Sequence, residues 1–226
     1  MKHRRRVPNT GEGLVKIGII GSGNMGSALG RIWGKNGHEI MFSSRHPDRL
    51  KGLAQSVGKN ACYGTPAEAA RFGNVAMLAV PWGQVESALK LADPLNLNGK
   101  ILIDCTNPLK PDYNGLAVGH TTSAAEDVAK LAEGSKVVKA FNTTFAAIMH
   151  SHSRMFDQEK ATGFYCGDDS SAKAVVSELI RETGLEPLDA GPLTSARYLE
   201  PMAMLMTHLG FTEKMGTNIA FRLLRR

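Results

Sequence analysis

The sequence predicts an α/β fold in which a doubly wound parallel sheet is covered by helices on both faces. Short apolar runs of strand length alternate with helical segments along the chain. The run 75–80 is apolar at every position, which is typical of a central parallel strand buried on both faces. A glycine turn joins the first predicted strand to the first helix. At 226 residues, the chain has room for one such domain and a modest extension.

The glycine turn carries the most specific signal. An apolar strand over 15–20 is followed by Gly21, Ser22, Gly23, Asn24, Met25 and Gly26, and then by a helical run that stops at Gly37. This order of strand, G-x-G-x-x-G and helix is typical of a dinucleotide-binding Rossmann domain. Gly21 permits the sharp turn, Gly23 lets a pyrophosphate approach the backbone, and Gly26 lets the helix pack on the strand. The pyrophosphate is expected at the helix N-terminus, where N–H groups are free.

The end of the second predicted strand, 39–43, indicates which dinucleotide is preferred. An NAD site places an Asp or Glu near this position to hold the ribose 2′-hydroxyl. This chain has Ser43, Ser44 and Arg45 instead, and hydroxyl and guanidinium groups suit a 2′-phosphate. The sequence therefore predicts NADP(H) as the cofactor. The alternative is a polar loop that merely opens a helix at Pro47.

Turns at the ends of later strands are expected to continue the cleft, because ligands of open α/β sheets bind beyond the carboxyl ends of the strands. The run 75–80 ends at Pro81 and Trp82, so Val80, Pro81 and Trp82 are predicted to form a wall. Trp82 has two interpretations, a partner for a planar ring or a tryptophan that covers core at a helix start. Asn107 lies in a polar turn after the strand 100–104.

The other segments complete the domain organisation. Strands are predicted at 61–63 and 137–142, and helices from Thr65, at 84–92, at 122–133 and from Thr143. The dinucleotide-binding domain is thus expected to span 14–148. Residues 149–226 are predicted to add two strands, 163–166 and 186–188, to the same sheet. A helix at 170–183 and a largely helical segment after 192 are expected to cover the cleft.

Charge and composition exclude several classes of protein. The formal charge of +6 lies at the two ends of the chain, 1–13 and 221–226, while the body between them is neutral. Nucleic-acid binding is therefore disfavoured, and 1–13 is predicted to be a disordered basic arm. No apolar run is long enough to cross a membrane, so the protein is expected to be cytoplasmic and without a membrane partner. Three scattered cysteines, and histidines without a zinc-binding spacing, predict neither disulfide nor metal site.

Several pieces together resemble the coenzyme F-420-dependent NADP oxidoreductase family: IIGSGNMG (19–26), SR (44–45), AVPW (79–82), DCTNP (104–108) and VVKAFN (137–142). The stretches 189–193 and 196–197 are also similar to the cytosolic reductase domain of the six-transmembrane metalloreductases. The resemblance implies that the glycine turn holds the pyrophosphate, and that Ser44 with Arg45 holds the 2′-phosphate. It also implies that two groups of residues frame the nicotinamide and a stacked flavin-like acceptor: Ala79, Val80, Pro81 and Trp82, and Ala140, Phe141 and Asn142.

The predicted function is hydride transfer between NADP(H) and a small-molecule acceptor, either deazaflavin coenzyme F-420 or a flavin. In such a reaction hydride passes directly between two rings, so no catalytic acid or base is predicted. Two alternatives remain open. One is an imine, pyrroline-carboxylate or 3-hydroxyacid reductase, although those enzymes usually have a longer helical domain after the sixth strand. The other is a non-enzymatic NADPH-binding redox sensor. The methionine-rich C-terminal helices make a homodimer plausible.

Overall fold

A computed structural model of the protein describes residues 13–226. Eight strands form one sheet in the order β10-β9-β6-β5-β4-β1-β2-β3, and β7 and β8 form a separate hairpin. The strands are β1 (Lys16–Ile20), β2 (Glu39–Ser43), β3 (Ala61–Gly64), β4 (Val75–Leu78), β5 (Ile101–Asp104), β6 (Lys136–Ala140), β7 (Met155–Phe156), β8 (Glu159–Lys160), β9 (Thr162–Gly167) and β10 (Glu186–Asp189). This mostly parallel Rossmann sheet confirms the predicted fold class.

Helices cover both faces of the sheet. They are α1 (Asn24–Lys35), α2 (Lys51–Val57), α3 (Pro66–Phe72), α4 (Val85–Ala92), α5 (Ala124–Leu131), α6 (Ala146–His150), α7 (Ser170–Glu182) and α8 (Ala196–Thr207), with a π-helical turn at His208–Thr212. Strand β4 shows why two faces are needed. Val75 and Met77 pack in the core under α1, α6 and α7, while Ala76 and Leu78 pack under α3, α4, α5 and α8. Each face thus has its own apolar core.

The C-terminal part departs from the sequence prediction in three ways. Strands β9 and β10 extend the sheet as expected, but β9 pairs antiparallel with β6, so both run against the other six strands. The hairpin β7–β8 was not predicted. The prediction of helix to the end of the chain is wrong, because residues 213–226 have no helix. Lys214 and Gly216 have φ values of 58° and 77°, which are incompatible with a continuing helix.

Two predictions are not settled by the fold. The predicted disordered arm, 1–13, lies outside the described residues except for Gly13. Covering of the cleft by the C-terminal part stays a prediction, although α8 packs on α5 and residues 221–223 bond to the start of β9 through Phe221 O and Leu223 N. No helix within 13–226 is long and apolar enough to cross a membrane.

The start of α3 provides a test of local stability. Glu68 N donates to Thr65 Oγ1 at 3.3 Å and Thr65 N donates to Glu68 Oε2 at 2.7 Å, which together form a capping box. Thr65→Ala is expected to lower the free energy of unfolding by about 1 kcal/mol, because a helix N–H loses its acceptor. Urea unfolding near neutral pH measures this difference.

The effect of Thr65→Ala on the free energy of unfolding is expected to depend on pH. Hydrogen bonds from the Thr65 backbone, and then from its side chain, hold the pKa of Glu68 below its ordinary value. They contribute stability above the pKa of Glu68 in the unfolded chain, and this stability is lost as the pH falls through the lower pKa of the folded chain. Thr65→Ala keeps the backbone bond and removes only the bond from Thr65 Oγ1 to Glu68 Oε2 at 2.8 Å, so the part of the stability difference due to this side-chain bond is expected to be lost below about pH 4. A gap that widened in acid would contradict this assignment.

Candidate dinucleotide site

The glycine turn between β1 and α1 has the geometry of a pyrophosphate cradle. Gly21 has a φ of 99°, and a Cβ there would lie 2.5 Å from Val80 Cγ1. A Cβ at Gly26 would lie 2.1 Å from Gly21 O. Both positions therefore require glycine for the fold itself. A Cβ at Gly23 would meet no atom within 4 Å, so packing alone does not explain this glycine.

The space beside Gly23 suits an anion. Gly23 is the N-cap of α1, and neither a capping side chain nor an acidic residue satisfies the first turn of the helix. Those N–H groups and the helix dipole favour a phosphate. Asn24 is exposed, Met25 is half-buried against the core, and the Asn24 carbonyl accepts a hydrogen bond from His150 Nε2 at 3.0 Å. The residues present therefore fit a dinucleotide pyrophosphate.

The serines at the end of β2 have different roles. Ser43 is fully buried, and its Oγ donates to Ile19 O at 2.6 Å. Ser22 Oγ donates to Ser43 O and accepts from Ser43 N, both at 3.1 Å. Ser43 and Ser22 thus join the β2 end to the glycine turn. The structure gives Ser43 a supporting position, so its hydroxyl is already engaged and is not directed at a 2′-phosphate.

Ser44 and Arg45 lie at the rim of a cleft. The cleft has a volume of about 190 Å³ and is lined by residues that include Gly21, Ser44, Arg45, Pro66, Val80 and Pro81. Arg45 is exposed and forms no ion pair with a residue of the described chain. Ser44 is half-buried, and its Oγ accepts from His46 N at 3.0 Å. A free guanidinium beside a hydroxyl fits the dianionic 2′-phosphate of NADP.

The residues of the turn after β4 face two different sides, the cleft beside Gly21 and a groove beside α5. Ala79 N donates to Ile20 O at 2.9 Å, and Val80 and Pro81 face the cleft. Trp82 is half-buried against the core under α4 and lines a groove with Asp127, Lys130 and Leu131 of α5. It is not among the residues that line the cleft beside Gly21. The structure therefore favours the core-covering interpretation of Trp82 that the sequence left open.

Asn107 and Asn142 join the tips of β5 and β6. Asn107 Nδ2 donates to Asn142 O at 2.9 Å, and Asn142 Nδ2 donates to Asn107 Oδ1 at 3.2 Å and to Leu199 O at 2.9 Å. Three buried oxygens at these tips have no hydrogen-bond partner within the described chain: Thr106 Oγ1, Asn142 Oδ1 and Thr143 Oγ1. Because unpaired buried polar atoms are rare, these three oxygens are expected to hydrogen-bond a polar ligand group or water.

Ala140 and Phe141 are buried at the end of β6. The Phe141 ring packs edge-on against Trp33 with 5.8 Å between ring centroids, so it belongs to the core rather than to the cleft. Its φ of 64° is unusual for a bulky residue and costs about 1–3 kcal/mol. Such strain is typical of functional sites. Among the predicted frame residues, Phe141 can therefore present only its backbone to a ligand.

A buried charge cluster that the sequence analysis missed lies below these tips. Lys139, Asp104 and Glu200 are each 0% exposed, and Lys139 Nζ lies 2.8 Å from Asp104 Oδ2 and 2.9 Å from Glu200 Oε1. Burial opposes the charged form of Lys139, but the two carboxylates outweigh it and raise its pKa. Burial also raises the pKa of Glu200. The available signal was the charge of Lys139 in the middle of the mostly apolar predicted strand 137–142.

The site contains no described group with an obvious reactive role. Burial raises the pKa of the Cys105 thiol far above its usual range, so no thiolate forms at neutral pH. Within 13–226, no group of three or more His, Cys, Asp and Glu side chains is arranged to hold a metal ion. The site can bind and orient a dinucleotide.

The fold and this site are those expected of an NADP-dependent oxidoreductase, and comparison with known proteins supports that class. Residues 16–108 match the family model of the NADP oxidoreductase, coenzyme F420-dependent. The predicted resemblance to this family is therefore confirmed. The match contains the glycine turn, Ser44 with Arg45, and the tips of β4 and β5.

Two relatives extend the comparison beyond the matched segment. The metalloreductase STEAP3 of Rattus norvegicus is 34% identical over 189 residues, which are 84% of this chain and 36% of that protein. This chain thus spans little more than a third of the length of that relative. The crystal structure of a candidate F420-dependent NADP-reductase from Arthrobacter sp. FB24 superposes with a TM-score of 0.83 at 27% identity, covering 93% of this chain and all of that one.

A second structure shares the fold alone. An imine reductase from Pseudomonas sp. has a TM-score of 0.64 at 18% identity, covering 89% of this chain and 64% of that chain.

Proposed function

We propose that this protein transfers a hydride between NADPH and a flavin-like acceptor, either deazaflavin coenzyme F-420 or a flavin. The proposal is carried by the cleft lined by Gly21, Ser44 and Arg45, together with the open position at Gly23 in the same glycine turn. The names of two similar proteins support a redox-active acceptor: the F420-dependent NADP-reductase of Arthrobacter and the rat metalloreductase.

The residues around the cleft would bind and orient two rings. The first turn of α1 would hold the pyrophosphate, and Ser44 with Arg45 would hold the 2′-phosphate. Asn107, Asn142 and the backbone at Ala140 and Phe141 would lie at the nicotinamide end. NADPH, when bound, supplies the hydride.

The ionisable groups beneath the nicotinamide end also favour direct transfer between rings. Lys139, Asp104 and Glu200 are buried and hydrogen-bonded to one another or to the backbone, so they are not presented to a substrate. With such groups occupied, catalysis would come mainly from holding the two rings at the right distance and angle. An imine or hydroxyacid reductase would need a proton donor at its substrate, and the charges described at these strand tips do not provide one.

The proposal is tested by NADPH oxidation in the presence of one acceptor at a time: coenzyme F-420, FMN, riboflavin or 1-pyrroline-5-carboxylate. We expect turnover with a ring acceptor and none with the pyrroline. Turnover only with the pyrroline would establish the imine-reductase alternative. Tight NADPH binding without turnover of any acceptor would favour the redox sensor.

We also propose that the protein acts as a homodimer in the cytoplasm. The support for a dimer is the apolar surface of the C-terminal part, where Tyr198, Leu205 and Phe211 are exposed by 73%, 48% and 63%. Exposed apolar groups of this size are typical of contact surfaces.

A further inference from the structure

Lys139 lies where three elements of the cofactor edge meet. Its ammonium donates to Asp104 Oδ2 at 2.8 Å and to the Thr106 carbonyl at 2.7 Å, and it pairs with Glu200 Oε1 at 2.9 Å. An ammonium has three N–H donors, so these partners use all of them. Lys139 is fully buried and has no capacity left for a ligand. Any effect on the site must therefore act through its neighbours.

Glu200 connects this cluster to two helices. It belongs to α8, and its carboxylate accepts hydrogen bonds from Ala124 N at 2.8 Å and Ala125 N at 3.0 Å, at the first turn of α5. A carboxylate at a helix N-terminus is favoured by the helix dipole. Glu200 therefore fixes α8 to the start of α5 and, through Lys139, to β6.

The cluster also fixes the turn that carries Asn107. Lys139 holds the carbonyl of Thr106, the residue before Asn107, and Asn107 is bonded to Asn142. Asn142 Nδ2 donates to the carbonyl of Leu199, the residue before Glu200. The contacts form a closed circuit from β5 to β6 to α8 and back. Without the contacts of Glu200, the elements that hold the side chains of Asn107 and Asn142 in position are less firmly fixed.

We infer that Lys139 and Glu200 are positioning residues that order the nicotinamide half of NADPH without touching it. This inference rests on the proposed function, because it takes the tips of β5 and β6 as the nicotinamide end. The adenosine half is expected away from these tips, at Ser44, Arg45 and Pro81, which line the cleft beside Gly21. Loss of the cluster should therefore weaken one half of the dinucleotide selectively.

The best variant for the test is Glu200→Gln. It removes one of two carboxylates and leaves Lys139 paired with Asp104, so no unbalanced buried charge remains. A glutamine amide has only one acceptor oxygen, whereas Glu200 receives two backbone N–H groups and Lys139. The substitution therefore weakens the contacts that join α8 to α5 and β6, and it leaves the ion pair between Lys139 of β6 and Asp104 of β5 intact.

The experiment measures the Kd of NADPH and of 2′,5′-ADP by calorimetry, together with the fluorescence lifetime of bound NADPH at saturation. For Glu200→Gln we expect NADPH binding to weaken by about tenfold and its ring lifetime to fall, because coupling through packed contacts has this size. The Kd of 2′,5′-ADP should stay unchanged, because that ligand lacks the nicotinamide. The result does not depend on any acceptor, so it is distinguishable from failure of the proposed function.

The matched control is Glu126→Gln. Glu126 also joins α5 to α8, through Arg197 at 2.6 Å and 2.9 Å, but it does not contact Lys139. We expect no selective loss of NADPH in this variant. Equal weakening of both ligands by Glu200→Gln, no weakening of either, or the same selective loss in Glu126→Gln would overturn the inference. If Glu200→Gln does not fold, Lys139→Arg keeps the buried positive charge and must show the same split.

Discussion

Gly23→Val is expected to abolish NADPH binding, with a Kd raised at least about 100-fold, while the protein remains folded. A Cβ at this position meets no protein atom within 4 Å, so the fold is expected to tolerate the substitution. It would instead occupy the space in front of the α1 N-terminus, where the pyrophosphate is expected. Loss of several charge-assisted hydrogen bonds accounts for an effect of this size. Calorimetry with NADPH and a thermal unfolding curve measure the two outcomes.

Gly52→Val is the matched control for this substitution. Gly52 lies in α2, and a Cβ there also meets no atom within 4 Å. It is expected to leave NADPH binding unchanged. If Gly23→Val retained NADPH binding, the turn would be merely structural and the dinucleotide site would be misplaced.

Arg45→Ala is expected to weaken NADPH binding by roughly 10- to 100-fold, the size of a charged hydrogen-bonding contact. NADH, which has no 2′-phosphate, should bind to wild type and variant within about twofold, since Arg45 contributes only to recognition of that group. The ratio of the two dissociation constants is the measurement. It compares cofactors within one variant, so it is insensitive to a general loss of stability.

Arg49→Ala supplies the control for charge alone. Arg49 is exposed on the 3₁₀ turn Pro47–Leu50 and does not line the cleft. Its loss should change NADPH binding by no more than the weak, screened effect of one surface charge. Equal loss of NADPH and NADH in Arg45→Ala would overturn the assignment of the 2′-phosphate.

The dinucleotide-binding half of the fold was predictable because its signals are local. Each strand from β1 to β6 is a short apolar run, and Gly21, Gly23 and Gly26 stand at a spacing with a mechanical reason. The capping box at Thr65 likewise involves only residues within one four-residue stretch, 65–68. The structure separates the roles of these three glycines further, since Gly23 alone among them is free of packing constraints.

The C-terminal third was less predictable because its outcome depends on pairing between distant segments. The periodicity of β9 is the same whichever way the strand runs, and its antiparallel direction follows from pairing with β6. The residues after 212 contain apolar positions compatible with a helix. Their conformation is instead set by left-handed residues at Lys214 and Gly216 and by bonds to Thr162.

The charge cluster was missed for a related reason. Lys139 and Asp104 are 35 residues apart, and Glu200 lies in a helix far along the chain. The sequence places all three in apolar runs, where a charge requires a partner, but spacing alone does not identify which residue it is. The same limit applies to Phe141, which the resemblance placed among the residues that frame the nicotinamide and whose ring lies against Trp33.

The link from Glu200 to the strand tips has a consequence for biosynthesis. The adenosine end of the cleft is built from residues up to α4, whereas the circuit at Asn107 and Asn142 closes only with Leu199 and Glu200. On the ribosome, the emerging chain would thus complete its anchor for the adenosine phosphate first. The nicotinamide end would be finished late, when α8 docks and supplies the second carboxylate to Lys139.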